Sequence, residues 1–116
     1  DNDGDLDIVA VEAVGPVWAF VNNENNRNAV SFELRDELGN HFGIGTQLVV
    51  RLDDGKEYMR ELRSSGGFIS FNDPIVHFGI GDSKSIDRVE VRWPTGSTSV
   101  LEGKFVPGSR YRISRQ

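Results

Sequence analysis

The sequence predicts an all-β protein, an antiparallel β-sandwich or partly closed barrel, and three observations carry that prediction. Apolar residues recur with period two, β-branched and aromatic types dominate those runs, and clusters of Gly, Pro, Asn and Asp separate them. With 116 residues, of which 37% are hydrophobic and 27% charged, the chain is long enough for one core and too short for two comfortable ones.

In chain order the predicted strands are Asp7 to Glu12, Val17 to Asn22, Val30 to Arg35, Gln47 to Leu52, Lys56 to Arg63, Ile75 to Phe78, Arg88 to Trp93, Thr98 to Leu101 and Arg110 to Ser114. The clearest alternation is VEVRW, which places Val89, Val91 and Trp93 on one face and Glu90 and Arg92 on the other. Asp53-Asp54-Gly55 predicts a hairpin through a tight primed turn, because Asp-Gly supplies positive φ. EYMRELRSS is rich in helix formers, yet the hairpin signal before it and Gly66-Gly67 after it favour a strand. NNENNRN, residues 22–28, is the one polar low-complexity stretch and marks the seam of the chain. HFGIG occurs twice, at His41 to Gly45 and at His77 to Gly81, as a repeated loop in which Phe42, Ile44, Phe78 and Ile80 are expected to cover the ends of the core.

The net charge is −5, and four acidic residues with no basic ones fall in the first seven positions. The acidity is therefore local, and no clustered basic face offers itself to nucleic acid. Arg110, Arg112 and Arg115 are expected to decorate one edge of the last strand. The absence of cysteine excludes disulfides, thiolate metal sites and cysteine nucleophiles. No apolar run reaches the roughly 18 residues of a membrane span, so no membrane insertion is expected.

The chemistry concentrates in DNDGDLD. Alternating carboxylates on a loop turned by glycine aim hard oxygens at one centre, which suits Ca²⁺, and a cation relieves their mutual repulsion. Two registers compete. With Asp1 as the first ligand of a helix-loop-helix site, Asp3, Asp5, Ile8 and Glu12 fall in suitable places, but Leu6 would occupy the turn-glycine position and no helix follows. With Gly4 as the pivot, Asp1 and Asp3 supply side chains, Asp5 its carbonyl, and Asp7 closes the loop as a strand begins. That register calls for one more aspartate two positions before Asp1, so the sequence reads as an excerpt that binds calcium weakly.

In the second register the stretch resembles the calcium loop of FG-GAP/VCBS repeats, the blade units of integrin-type β-propellers. DNDGDLDIVAVEAVGPVWAFVNN resembles the end of such a blade, and the resemblance implies a metal set of Asp1, Asp3, Asp5 and Asp7. The remainder resembles the ASPIC/UnbV domain over roughly residues 27 to 105. The matching pieces are GIG at Gly43 to Gly45, REL then SGGF within Arg60 to Phe68, HFGIG followed by Asp82, and IDRVEVRWPTG at Ile86 to Gly96. That domain follows FG-GAP/VCBS repeats in bacterial surface proteins and animal cartilage acidic proteins. The resemblances imply two units, residues 1–26 as a two-strand remnant of a blade and residues 27–116 as the β domain. They also imply an extracellular, periplasmic or cell-surface location and a non-enzymatic adhesion-type role toward an unknown protein or glycan partner.

The residues agree with that reading. No G-x-S-x-G, H-E-x-x-H or phosphate loop is present. His41 and His77 are the only imidazoles, and a site built from His77 with Asp82 or Asp87 lacks a nucleophile that spacing singles out. Trp18, Tyr58, Trp93 and Tyr111 could line a glycan-stacking surface, although the alternation around Trp93 places it in the core. Two strands alone are marginal, so the N-terminal pair must join other strands or a second chain, and self-association through it is expected.

Overall fold

The computed structural model describes residues 5–23 and 28–116. Nine strands are present among them: β1 Ile8–Val11, β2 Val17–Phe20, β3 Ala29–Asp36, β4 Gln47–Leu52, β5 Glu57–Glu61, β6 Ile75–Gly79, β7 Ile86–Arg92, β8 Thr98–Phe105 and β9 Ser109–Arg115. Each overlaps a strand expected from the sequence, including β5, where helix-forming residues yield to the flanking turns. The described residues contain no helix.

β1 and β2 form a two-stranded antiparallel sheet of their own. The other strands form a three-stranded sheet in the order β6-β3-β9 and a four-stranded sheet in the order β5-β4-β7-β8. These two sheets share one apolar core, and the result is a sandwich, not a closed barrel. β3 shows why: Val30, Phe32, Leu34 and Asp36 are buried while the residues between them are half-buried, so one face seals the core. Leu48, Val50 and Leu52 of β4 and Val89 and Val91 of β7 meet that face from the opposite sheet, with Trp93 buried at the end. Phe32 is the hub of the aromatic packing, with ring centroids 6.1 Å from Phe78, 5.6 Å from Phe105 and 6.0 Å from Tyr111.

Three local expectations are corrected. The β4–β5 connection is a three-residue loop, not a primed two-residue turn. Leu52 donates to the Lys56 carbonyl at 2.8 Å and its own carbonyl accepts from Gly55 at 3.0 Å, and Gly55 (φ 85°) is the only loop residue with positive φ. Asp54 needs no left-handed backbone because its carboxylate accepts from the Lys56 amide. The two HFGIG copies also diverge. Phe78 and Ile80 are buried, but Phe42 is exposed beneath the Arg35 guanidinium, and His77 lies within β6, inside the strand expected over Ile75 to Phe78, while His41 lies in a loop.

The third correction concerns β9, which runs parallel to β3, from Val30 opposite Ser109 to Asp36 opposite Arg115. A tight hairpin enforces antiparallel pairing only when both strands stay in one sheet. At Val106–Gly108 the chain instead crosses from β8 in one sheet to β9 in the other, and Gly108 donates to the Ala29 carbonyl at 2.8 Å to start the new pairing.

Thr46 is fully buried between β4 and the Gly43–Gly45 turn, and its hydroxyl has no hydrogen-bond partner among the described residues. Two substitutions of opposite sign follow from this packing. Phe32→Ala is expected to cost about 3–5 kcal/mol in urea unfolding, the range for emptying an aromatic core site. Thr46→Val keeps the shape and removes the unsatisfied hydroxyl, and is expected to gain about 1 kcal/mol in the same measurement.

Candidate functional site

Of the four carboxylates predicted to hold a cation, Asp1 and Asp3 lie outside the described residues. Asp5 and Asp7 lead directly into β1. The Asp7 Oδ1 accepts a hydrogen bond from the Asn22 amide at 2.9 Å, which ties the residue before β1 to the second residue beyond β2. That amide, more than any other group, lowers the Asp7 pKa below the usual carboxylate value and favours the charged form. Among the described residues no group of three or more His, Asp or Glu side chains converges as a metal site. The hard-oxygen donors present suit Ca²⁺ by chemistry.

The hairpin behind this loop has two apolar faces. In its register Ile8 opposes Phe20 and Ala10 opposes Trp18 on one side, while Val9 opposes Ala19 and Val11 opposes Val17 on the other. Ile8, Val9, Val11, Val17, Trp18 and Phe20 are all exposed. A strand pair facing water on one side alternates apolar with polar; this pair does not, and its composition is that of strands covered on both faces.

The remaining sequence candidates fall in separate places. His77 pairs with Ser31 across β6 and β3, with Nδ1 3.2 Å from the hydroxyl. Burial, and secondarily the Arg60 charge, push its pKa down, so the neutral ring is favoured. Asp87 is engaged by Lys104 at 2.8 Å and by the Ser85 hydroxyl at 2.6 Å. His41 sits in the β3–β4 connection with its ring against Phe42. Of the four aromatics considered for glycan stacking, Trp93 is in the core and Tyr111 packs on Phe32 and Phe105, which leaves Trp18 and Tyr58 exposed on different sheets. A shallow depression of about 270 Å³ on the outer face of the four-stranded sheet is lined by Val49, Arg51, Glu57, Arg88, Glu90 and Arg92. Its charges engage one another, as in Arg92–Glu90 at 2.8 Å and Arg88–Glu90 at 3.5 Å.

One polar network was not anticipated. Arg115 does not decorate an edge: its guanidinium points inward and holds Asp36 in a fork, Nη2 to Oδ2 at 2.6 Å and Nε to Oδ1 at 3.2 Å. Its Nη1 donates to Thr95 Oγ1 at 2.6 Å and to Ser97 Oγ at 2.7 Å, and the group lies 4.8 Å from the centre of the Trp93 ring. The side chains of Asp36 and Arg115 are only 1% and 11% exposed, so the pair is a buried one. It joins two strands of one sheet to the β7–β8 turn of the other.

The Leu38 amide first, and Arg115 second, lower the Asp36 pKa below its ordinary 3.8. A depressed carboxylate stabilises the fold above its unfolded value and loses that contribution as pH falls through the lower, folded value. Thermal melts across pH are therefore expected to show stability falling below about pH 3.8, and Asp36→Asn to be less stable at neutral pH with a flatter acid limb. Arg115→Lys is expected to lower the melting temperature clearly, because an ammonium cannot reproduce the planar fork, whereas Arg112→Lys on the outer face melts close to the parent.

A family model described as ASPIC and UnbV matches residues 36–116, and no curated protein matches the chain. The matched span begins on Asp36 and extends past Arg115, so it contains both halves of the buried pair. It also takes in β9, beyond the residues that carried the resemblance in the sequence.

Proposed function

Because the chain belongs to the ASPIC and UnbV family, we propose that it is a non-enzymatic extracellular interaction module in which the sandwich is held beside a calcium-stabilised sheet fragment. In this reading residues 1–26 are the end of a propeller blade of the FG-GAP/VCBS type, and Asp1, Asp3, Asp5 and Asp7 hold a structural Ca²⁺. The observation that carries it is the β1–β2 hairpin, apolar on both faces and led in by an acidic loop. Blades stacked around a propeller cover each sheet on both sides, which such a hairpin needs.

Calcium's part is structural. It neutralises carboxylates that otherwise repel one another and fixes the turn from which β1 departs. The Asp7–Asn22 hydrogen bond supports this role, since it makes the loop and the end of the hairpin one unit. Extracellular calcium is millimolar, so a site with a dissociation constant of about 10⁻⁴–10⁻³ M is occupied there.

Calorimetric titration of the intact chain with CaCl₂ is expected to show binding in that range and a higher melting temperature in millimolar Ca²⁺, both weakened by Asp3→Asn. No heat and an unmoved melting temperature would falsify the calcium reading. Sedimentation equilibrium addresses the hairpin separately: concentration-dependent association abolished by Val9→Thr with Val11→Thr shows that its uncovered faces draw in a second chain.

A further inference from the structure

Most arginines of the sandwich are matched to a carboxylate, but Arg60 and Arg110 form no ion pair with any described residue. Arg110 of β9 lies opposite Ser31, and Ser31 lies opposite His77 of β6, so the three side chains form one row across the outer face of the three-stranded sheet. Neighbouring strands are about 4.8 Å apart, within the reach of an arginine side chain. Ser31 Oγ is 3.2 Å from His77 Nδ1, and the charge of Arg60, on β5, acts on the same ring. No carboxylate belongs to the row. Glu33, the next residue along that face of β3, is held by Arg35 and Arg112, and on the other side the row is bordered by Ala29 opposite Gly79.

We infer that this row binds a tetrahedral oxyanion, a sulfate or phosphate group, together with a proton on His77. A neutral imidazole gives the row only part of what an anion needs. With the proton on Nε2, Nδ1 takes the Ser31 hydrogen; with the proton on Nδ1, the serine can donate outward but Nε2 cannot. The imidazolium donates from Nδ1 to Ser31, which releases the serine hydrogen, and offers Nε2–H as well. Ser31, His77 and Arg110 then present three kinds of donor, which match the three terminal oxygens of a sulfate or phosphate group better than the two of a carboxylate. In the empty row, burial and the Arg60 charge oppose that proton. A bound anion reverses the balance, so binding takes up a proton and weakens as pH rises through the His77 titration.

The test is an NMR titration of both histidines in the intact chain, at constant ionic strength with chloride as the reference salt. Inorganic sulfate keeps its charge across this range, so any pH dependence belongs to the protein. Saturating sulfate is expected to raise the His77 pKa by about one unit and to leave His41 unmoved. Arg110→Gln, at an exposed position that leaves the fold intact, and Ser31→Ala are each expected to weaken binding about tenfold, and His77→Gln to flatten its pH dependence. Phenyl sulfate and phenyl phosphate, run side by side, assign the group to one ester or the other by the tighter of the two. An unmoved His77 titration, acetate binding as tightly as sulfate, or a response that survives Arg110→Gln unchanged each overturns the inference.

Discussion

The Arg115 guanidinium is the constraint on which the rest of the sandwich depends. Apolar side chains bring two sheets together without fixing how far one strand slides along another, because burial is non-directional. The fork on Asp36 is directional. A slip of β9 by one residue would turn Arg115 to solvent, bring Ser114 inward and leave a buried carboxylate without its cation. The same guanidinium holds the Thr95 and Ser97 hydroxyls of the facing sheet's turn, so one side chain sets both the register of the parallel pair and the seat of the β7–β8 connection. Trp93 completes the arrangement with its ring beneath the cation and its Nε1 donating to Ser99 at 3.0 Å.

The strands β3, β4 and β6 were legible in the sequence because period-two burial is a local property, whereas β1, β2 and β5, exposed along their whole length, were marked by residue type and flanking turns. Strand order was not, because β3 and β9 pair across most of the domain and leave no local trace. The inward turn of Arg115 shows how much a parity reading holds in reserve. Tyr111, Ile113 and Arg115 share one face of β9, as Val30, Phe32, Leu34 and Asp36 share one face of β3. A cation on one apolar face and an anion on another become a pair once the strands are known to be neighbours. Read separately, the arginine looked like edge decoration. The Asp53–Gly55 loop failed for a different reason: Asp-Gly suits both a primed turn and a three-residue loop, and backbone geometry decides between them.

The candidate site was legible in its chemistry and not in its geometry. Residue types in DNDGDLD select a hard cation, but spacing alone does not show which carboxylates converge. The Asn22 amide that holds Asp7 is fifteen residues away and carries no motif. The hairpin's two-sidedness, by contrast, could be read from the sequence, since IVAV and VWAF lack the polar alternation of a half-exposed pair. The exposed tip at Phe68 looked from sequence like any other loop between strands, because nothing local distinguishes an apolar residue that folds back from one that does not.

The distribution of apolar surface argues for where this molecule meets others. The outer faces of the sandwich are laced with ion pairs, Arg112–Glu33 at 3.2 Å on one sheet and Arg88–Glu102 at 3.3 Å on the other. Such exposed pairs add little stability, but they keep the sheet faces solvated and discourage stacking between copies. The sandwich also closes its own core, so the exposed residues of the hairpin and of the β5–β6 turn are not displaced core residues. Their hydration costs free energy that folding does not recover, and the strain at Ile69, whose φ is 52°, adds to it. Most of the strongly exposed apolar side chains among the described residues fall at these two places, and the sheet faces carry the ion pairs instead.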